Sequence, residues 1–331
     1  MTDPGTHPGT DPAPSATTAR ERLTAVRAEV AKAVVGQDAA VSGLLVALLC
    51  RGHVLLEGVP GTAKTLLVRS LAAALQVESR RVQFTPDLMP GDLTGSMILD
   101  PRAGDLVFRP GPVFTDLLLA DEINRTPPKT QAALLEAMEE GQVTVDGVTH
   151  RLPDPYLVAA TQNPLEYEGT YPLPEAQLDR FLLKVVLPVP EREQEIEILR
   201  RHADGFDPRD VAAAGVRAVA GPDDILAARR AVAAVQVAPE VAAYVVDLAR
   251  ATRATPSLSA GVSPRGATAL LRTARAWAWL SGRDFVTPDD VKLLAHATLA
   301  HRLGLRPEAE LEGTRVESVL AAAIAGVPVP R

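Results

Sequence analysis

The sequence predicts an α/β fold, a mostly parallel sheet covered by helices on both faces, followed by an all-helical second domain. Three observations carry this reading. Short buried apolar runs alternate with helical periodicity through the first 190 residues, a glycine-rich turn sits where the first such run gives way to a helix, and the strand signal stops after Pro190. A length of 331 residues suits roughly two domains, with a core that needs no metal or disulfide.

The elements follow in order. Met1 to Thr18 hold Pro4, Pro8, Pro12 and Pro14 with almost nothing apolar, too little to offset ordering entropy, and are expected as a disordered tail. From Ala19, Leu23, Val26, Val30 and Val34 recur at helical spacing; Gly36 interrupts, and a second apolar helix runs from Asp38 to Cys50. His53 to Glu57 is the first buried strand, and Leu66 to Leu75 resumes helical spacing. Further strands are expected at Arg81 to Phe84, Leu117 to Ala120, Tyr156 to Ala160 and Leu182 to Leu187, with a helix over Lys129 to Glu140. Two hairpins interrupt the alternation: Met97 to Asp100 with Leu106 to Arg109, and Gln142 to Val145 with Val148 to Arg151 around the stronger turn signal Asp146-Gly147. Pro188-Val-Pro190 marks a break, residues 191–223 read as a linker, and helices at Asp224 to Val235, Pro239 to Arg253, Pro264 to Leu280 and Pro288 to His301 build the second domain over 224–331. There is no internal repeat, and Val327 to Arg331 reads as a frayed end.

Composition narrows the function classes. The formal net charge of −7 is the wrong sign for sequence-independent attraction to nucleic acid or anionic membrane. The single Cys50 excludes an internal disulfide framework and reads as a small core hydrophobe in a reducing compartment, with the cytoplasm as default location. No apolar run reaches the roughly 18 residues that span a bilayer, and no signal-peptide pattern opens the chain, so a soluble protein without membrane insertion is expected. The six histidines form no metal or nucleophile set, and His53 reads as strand packing.

Gly58-Val59-Pro60-Gly61-Thr62-Ala63-Lys64-Thr65 places glycines, a lysine and a threonine between a strand and the helix that continues with Leu66. Backbone N–H groups there converge on phosphates, the helix N-terminus adds favourable dipole charge, Lys64 reaches the β and γ phosphates, and the Thr65 hydroxyl ligates Mg²⁺. Ala63 stands where glycine usually precedes the lysine. Alanine tolerates helical φ/ψ, so the helix is expected to start slightly earlier. The run Leu117 to Ala120 ends in Asp121-Glu122, and strand alternation points these two carboxylates in different directions. Asp121 then serves the Mg²⁺ shell while Glu122 orients or deprotonates a water. The next buried strand ends in Asn163, a neutral amide able to bond a γ-phosphate or the attacking water. Lysine loop, acidic strand end and polar strand end thus succeed one another at carboxyl strand edges, where open α/β sheets bind ligands. On spacing alone Arg180 has three open roles: an arginine acting in its own chain, one reaching a neighbouring subunit, or a surface pair with Asp179, the simplest of the three. Ser263-Pro264-Arg265 reads as a helix start with Ser263 as N-cap, so Arg265 falls in the first turn and either faces a phosphate or is merely exposed.

Taken in order, GVPGTAKT, LLLADEINR, ATQNP, LPEAQLDRF and SPR resemble the MoxR family of AAA+ ATPases, over the chain from about Ala19 to its end. The segment Asp121 to Glu140 is its most specific part, and alanine before the loop lysine is common there. The resemblance implies an AAA+ module: a parallel five-stranded sheet between helices, two β-hairpin insertions around a central pore, and a smaller helical lid. It implies ATP and Mg²⁺ as ligands, with Lys64 and Thr65 in the Walker A loop, Asp121 as Walker B metal residue and Glu122 as catalytic base. It further implies Asn163 as sensor 1, Arg180 as an arginine finger acting on a neighbouring subunit, Arg265 as sensor 2, and Val35, Gly36 and Gln37 against adenine. Such proteins are similar to hexameric ring chaperones that remodel or mature protein complexes, often with a von Willebrand factor A-domain partner. Two alternatives stay open. A nucleic-acid remodelling motor would use Arg250, Arg253, Arg272, Arg275 and Arg283, against the acidic net charge, and the ATPase subunit of a magnesium-chelatase-like complex would share the core.

Overall fold

The computed structural model describes residues 14–102, 104–163 and 169–330. The expected tail over 1–13, part of the turn before Leu106, and Pro164 lie outside them. Helix α1 (Ala16–Ala31) begins inside the stretch expected as tail, because the Ser15 hydroxyl caps it by accepting the Thr18 N–H at 3.2 Å. Helix α2 (Asp38–Leu49) follows, then β1 (Val54–Glu57), α3 (Lys64–Leu75) and β2 (Ser79–Gln83). Next come the short α4 (Pro90–Thr94), the hairpin β3 (Gly95–Leu99) and β4 (Leu106–Pro110), β5 (Leu117–Asp121) and α5 (Pro128–Glu140). The second hairpin, β6 (Gln142–Val145) and β7 (Val148–Arg151), precedes β8 (Leu157–Gln162), the one-turn α6 (Glu175–Leu178) and β9 (Leu183–Val186).

Five strands form one parallel sheet in the order β2-β5-β8-β1-β9. Strand alternation divides their side chains between two cores. Val54, Leu56, Leu117, Leu119, Leu157, Ala159, Leu183 and Val185 face α1, α2 and α3; Leu55, Leu118, Ala120, Val158 and Ala160 face α5 with Phe84 and Phe181. Both hairpins are antiparallel, and the second turns on Asp146 and Gly147 with φ of 48° and 79°, the two left-handed residues a type I′ turn requires. The hairpins touch through their side chains: the rings of Phe108 on β4 and His150 on β7 stack at 3.8 Å between centroids and 16° between planes.

Beyond β9 lie α7 (Arg192–Ala203), α8 (Pro222–Ala234), α9 (Pro239–Ala254), α10 (Pro264–Leu280), α11 (Pro288–Leu299), α12 (Pro307–Leu311) and α13 (Val316–Gly326). The stretch 191–223 is therefore not a plain linker, because α7 occupies twelve of its residues. Nor is the lid wholly helical: β10 (Leu258–Ala260) pairs antiparallel with β11 (Gly304–Leu305). Core and lid share one continuous apolar cluster, in which Tyr244 and Trp279 of the lid join Leu23, Leu44 and Leu45 of α1 and α2. Arg20 lies over the Trp279 ring at 5.1 Å and Arg22 pairs with Asp224 at 3.1 Å across the same joint.

His53 is core packing, as expected, and its bonding fixes its charge. Nδ1 accepts the Val158 N–H and Nε2 donates to the Met138 carbonyl, both at 3.0 Å, so the ring is neutral. Burial lowers its pKa to about 4, and burial with the neighbouring Arg302 lowers His301 to about 3. The unfolded chain takes up these protons near pH 6.5 and the folded chain does not, so stability present at neutral pH is lost as pH falls from about 6.5 toward 4. For His53 alone the expected loss is about 3 kcal/mol. Urea unfolding of wild type and His53→Gln at pH 7 and pH 4 measures it: the wild type should lose more stability between the two pH values than the variant.

Candidate active site

The loop Gly58–Thr65 leaves β1 at the carboxyl edge of the sheet and enters α3. Gly61 has φ of +87°, with nothing within 4 Å of where a Cβ would stand, so glycine is required there by conformation and not by space. Ala63 departs from the expected early helix start. It takes the left-handed conformation (φ 59°, ψ 24°) as N-cap, and α3 begins at Lys64. This costs roughly 1 kcal/mol for a residue with a Cβ. The turn brings the N–H groups of the first turn of α3 to the mouth of a cavity. Within the loop, the Thr62 hydroxyl donates to the Val59 carbonyl at 3.0 Å and Lys64 Nζ donates to the Gly58 carbonyl.

That cavity measures about 540 Å³ and is lined by Pro60 to Leu66, by Val35 and Gln37, and by Asp121, Glu122 and Asn163. Gly58, Val59 and Gly36, also expected at the nucleotide, are not among its lining. At Gly36 (φ +76°) a Cβ would come within 2.4 Å of the Gln194 side chain, so glycine lets α7 close over this end. The far wall went unrecognised in the sequence: Ile198, Arg201 and His202 of α7 and Phe206 beyond it also line the cavity, as does Arg69. The prolines before α7 suggested a break, whereas Glu191 and Gln194 form a capping box that starts a helix.

The two carboxylates diverge for a reason other than strand alternation. Strand β5 ends at Asp121, and Glu122 turns into the left-handed region (φ 59°, ψ 51°). A non-glycine residue held there stores strain of order 1–3 kcal/mol, a cost borne at sites where a side chain must be aimed. One hydroxyl fixes both residues, since Thr161 Oγ1 accepts the Glu122 N–H at 2.8 Å and donates to Asp121 Oδ1 at 2.6 Å. Strand β2 holds the outer oxygens. Arg81 donates to Asp121 Oδ2 at 2.7 and 3.0 Å, Gln83 donates to Glu122 Oε2 at 2.5 Å, and Arg125 pairs with the same Glu122 oxygen at 3.3 Å. Asn163, next after β8, is buried at the cavity edge.

Arg180 and Arg265 do not join this cavity. Arg180 immediately precedes the segment entering β9, as Gly52 and His53 precede β1, and the two strands run parallel. It therefore sits at the amino edge of the sheet while the loop Gly58–Thr65 leaves the carboxyl edge; four residues of β1 alone separate the edges by about 13 Å. There Arg180 pairs with Glu139 at 3.2 Å, and Arg265 pairs with the same carboxylate at 3.4 Å and with Asp179 at 3.6 Å. The surface pair Asp179–Arg180 does not form, because Asp179 is taken by Arg302 at 2.7 Å. Ser263 caps α10 as expected, accepting the Gly266 N–H at 3.1 Å, and so places Arg265 in the first turn. Together these arginines border a second cavity, of about 430 Å³.

Comparison with known proteins places this arrangement. The family model described as ATPase family associated with various cellular activities (AAA) matches residues 53–183, and an AAA lid domain model matches 250–323. The chain is similar to the chaperone MoxR1 of Mycobacterium tuberculosis, 41% identical with 92% of this chain and 81% of that protein covered. The chain belongs to the MoxR family of AAA+ ATPases. It is also similar to the uncharacterized protein YeaC of Bacillus subtilis, 48% identical over 86% of this chain and 88% of that one. A crystal structure of a candidate ATPase from Cytophaga hutchinsonii superposes with a TM-score of 0.87 at 40% identity, covering 96% of this chain and 97% of that one. MoxR-family membership brings nucleotide binding and ATPase activity in general, on an AAA+ core with its lid.

Proposed function

We propose that this chain binds ATP with Mg²⁺ in the 540 Å³ cavity and hydrolyses it within a homo-oligomeric, hexameric ring, as a chaperone-like machine that remodels or matures protein complexes with a von Willebrand factor A-domain partner. The observation that carries this reading is the division of the site. Loop, carboxylates and Asn163 meet at one sheet edge, and Arg180 and Arg265 meet at the other. A neighbour presenting its amino edge to this cavity would complete it, and head-to-tail contacts of that kind close into rings.

The residues fit the roles. The N–H groups of the loop and Lys64 hold the phosphates, and Val35 and Gln37 border the base. Thr65 and Asp121 offer the oxygen ligands Mg²⁺ prefers, and the ion would supply charge neutralisation between phosphates when bound. To serve it, Asp121 exchanges its ion pair with Arg81, and Lys64 leaves the Gly58 carbonyl. Glu122, aimed by its left-handed turn, orients and deprotonates the attacking water, and Asn163 fixes water or γ-phosphate without adding charge. The neighbour's Arg180 and Arg265 stabilise charge on the transferring phosphoryl group.

The deciding measurement is the ATPase rate per subunit against protein concentration, with assembly followed by sedimentation of the same samples. The rate is expected to climb as rings form. A flat rate would mean that one chain carries the whole site and would overturn the role of Arg180 between subunits.

A further inference from the structure

Where α2 meets the lid, a separate cavity of about 200 Å³ opens beside Cys50, lined by Arg51, Arg229, Arg272 and Arg275. The four come from three places: Arg51 just after α2, Arg229 on α8, and Arg272 and Arg275 on α10. Among the described residues, Asp154 is the acidic partner of these arginines, at 3.3 Å from Arg51 and in contact with Arg229. Four guanidinium charges against one carboxylate leave the pocket strongly positive, on a chain whose formal net charge is −7.

The bonding of these arginines leaves donors over. Each of three caps a helix end: Arg229 Nε donates to the Leu48 carbonyl at 2.9 Å, Arg272 to the Cys50 carbonyl, and Arg275 to the Ala233 carbonyl. These contacts account for the location of the arginines but not for their number or for what remains. Arg229, only 8% exposed, keeps Nη2 buried without a partner, and Arg275 keeps Nε buried in the same condition. An unpaired buried donor of this kind is costly and calls for an acceptor. Arg51 adds a second cost: it holds a left-handed backbone (φ 49°) at the position after a helix where glycine is the usual residue. Burial pushes the Cys50 thiol up to about 12 despite the arginines around it, so the sulfur is inert and the chemistry of the cavity is that of its guanidiniums.

We propose that this cavity binds a small phosphate-type oxyanion, inorganic phosphate or diphosphate, at a site distinct from the nucleotide cavity. Guanidinium groups match the oxygens of such an anion in paired N–H···O bonds, and several around one pocket outcompete its hydration. The volume admits one or two phosphate groups and no nucleoside, in contrast to the 540 Å³ cavity. Bound there, the anion ties the end of α2 in the core to α8 and α10 in the lid, the joint along which the two share their apolar cluster.

Calorimetric titration of the full chain with diphosphate tests this. Lys64→Ala serves as background, since it weakens phosphate binding in the nucleotide cavity. One site per chain is expected, and adding Arg51→Gln and Arg275→Gln should weaken it at least tenfold. Absence of binding, or equal binding by the two proteins, would overturn the proposal. Should the double arginine variant not fold, Arg51→Gln alone in the Lys64→Ala background decides: its melting temperature should rise less with diphosphate than that of Lys64→Ala, each against potassium chloride at equal ionic strength, and an equal rise overturns the site.

Discussion

Arg180→Ala is expected to assemble as the wild type does and to lose about 10³-fold or more of its ATPase rate, the range an arginine contributed across an interface supplies in phosphoryl transfer. Assembly should survive because, within the chain, the substitution removes only a partly exposed ion pair with Glu139, worth about 0–1 kcal/mol. A mixing experiment separates action between subunits from action within one. Rings formed from Arg180→Ala and Glu122→Gln subunits contain interfaces where an intact Glu122 faces an intact Arg180. Mixed rings should therefore recover activity that neither variant has alone. If the mixture stays as inactive as its components, Arg180 does not act across the interface. Arg265→Ala belongs to the same test, since it shares Glu139 with Arg180 and should likewise lower the rate without loosening nucleotide binding to an isolated chain.

Glu122→Gln is the second large effect. The amide keeps the size of the side chain and the bond to Gln83, and the backbone position is no worse for glutamine than for glutamate. What disappears is the base, so kcat at saturating ATP should fall by about 10²–10⁴-fold. Affinity for a fluorescent ATP analogue should stay within a few-fold of wild type. A variant that loses binding together with rate would place Glu122 among the phosphate-holding groups instead.

Much of the sheet was legible because a parallel strand buried on both faces writes itself as a short apolar run, and each run here is closed by a polar or glycine-rich turn. The edge strand β2 is the exception. Its Ser79, Arg80 and Arg81 are half-buried or exposed, so the apolar signal begins only at its far end. The loop, Asp121, Glu122 and Asn163 could be read because each follows or ends a strand at the carboxyl edge of the sheet, whereas Val35 and Gln37 lie between α1 and α2 and the α7 wall carries no such signal. Backbone conformation could not be read: Ala63 and Glu122 both sit in the left-handed region, which residue identity argues against. Nor did spacing disclose that Glu139 draws Arg180 and Arg265 together, because that pairing joins α5, the approach to β9 and α10. Of the five arginines weighed as a nucleic-acid surface, Arg250 stays exposed and the other four are engaged within the chain. Arg253 donates to the Val262 carbonyl at 2.6 Å, Arg283 grips Asp290 at 2.5 Å, and Arg272 and Arg275 cap helices.

The ring stack between Phe108 and His150 has a mechanical consequence. It is the kind of contact worth about 1 kcal/mol, less than twice the thermal energy, and it joins two hairpins that belong to different insertions. A joint of that strength behaves as a slip clutch. Made, it holds the two arms side by side. Thermal motion alone parts it from time to time, and its opening leaves the antiparallel ladder of each hairpin untouched.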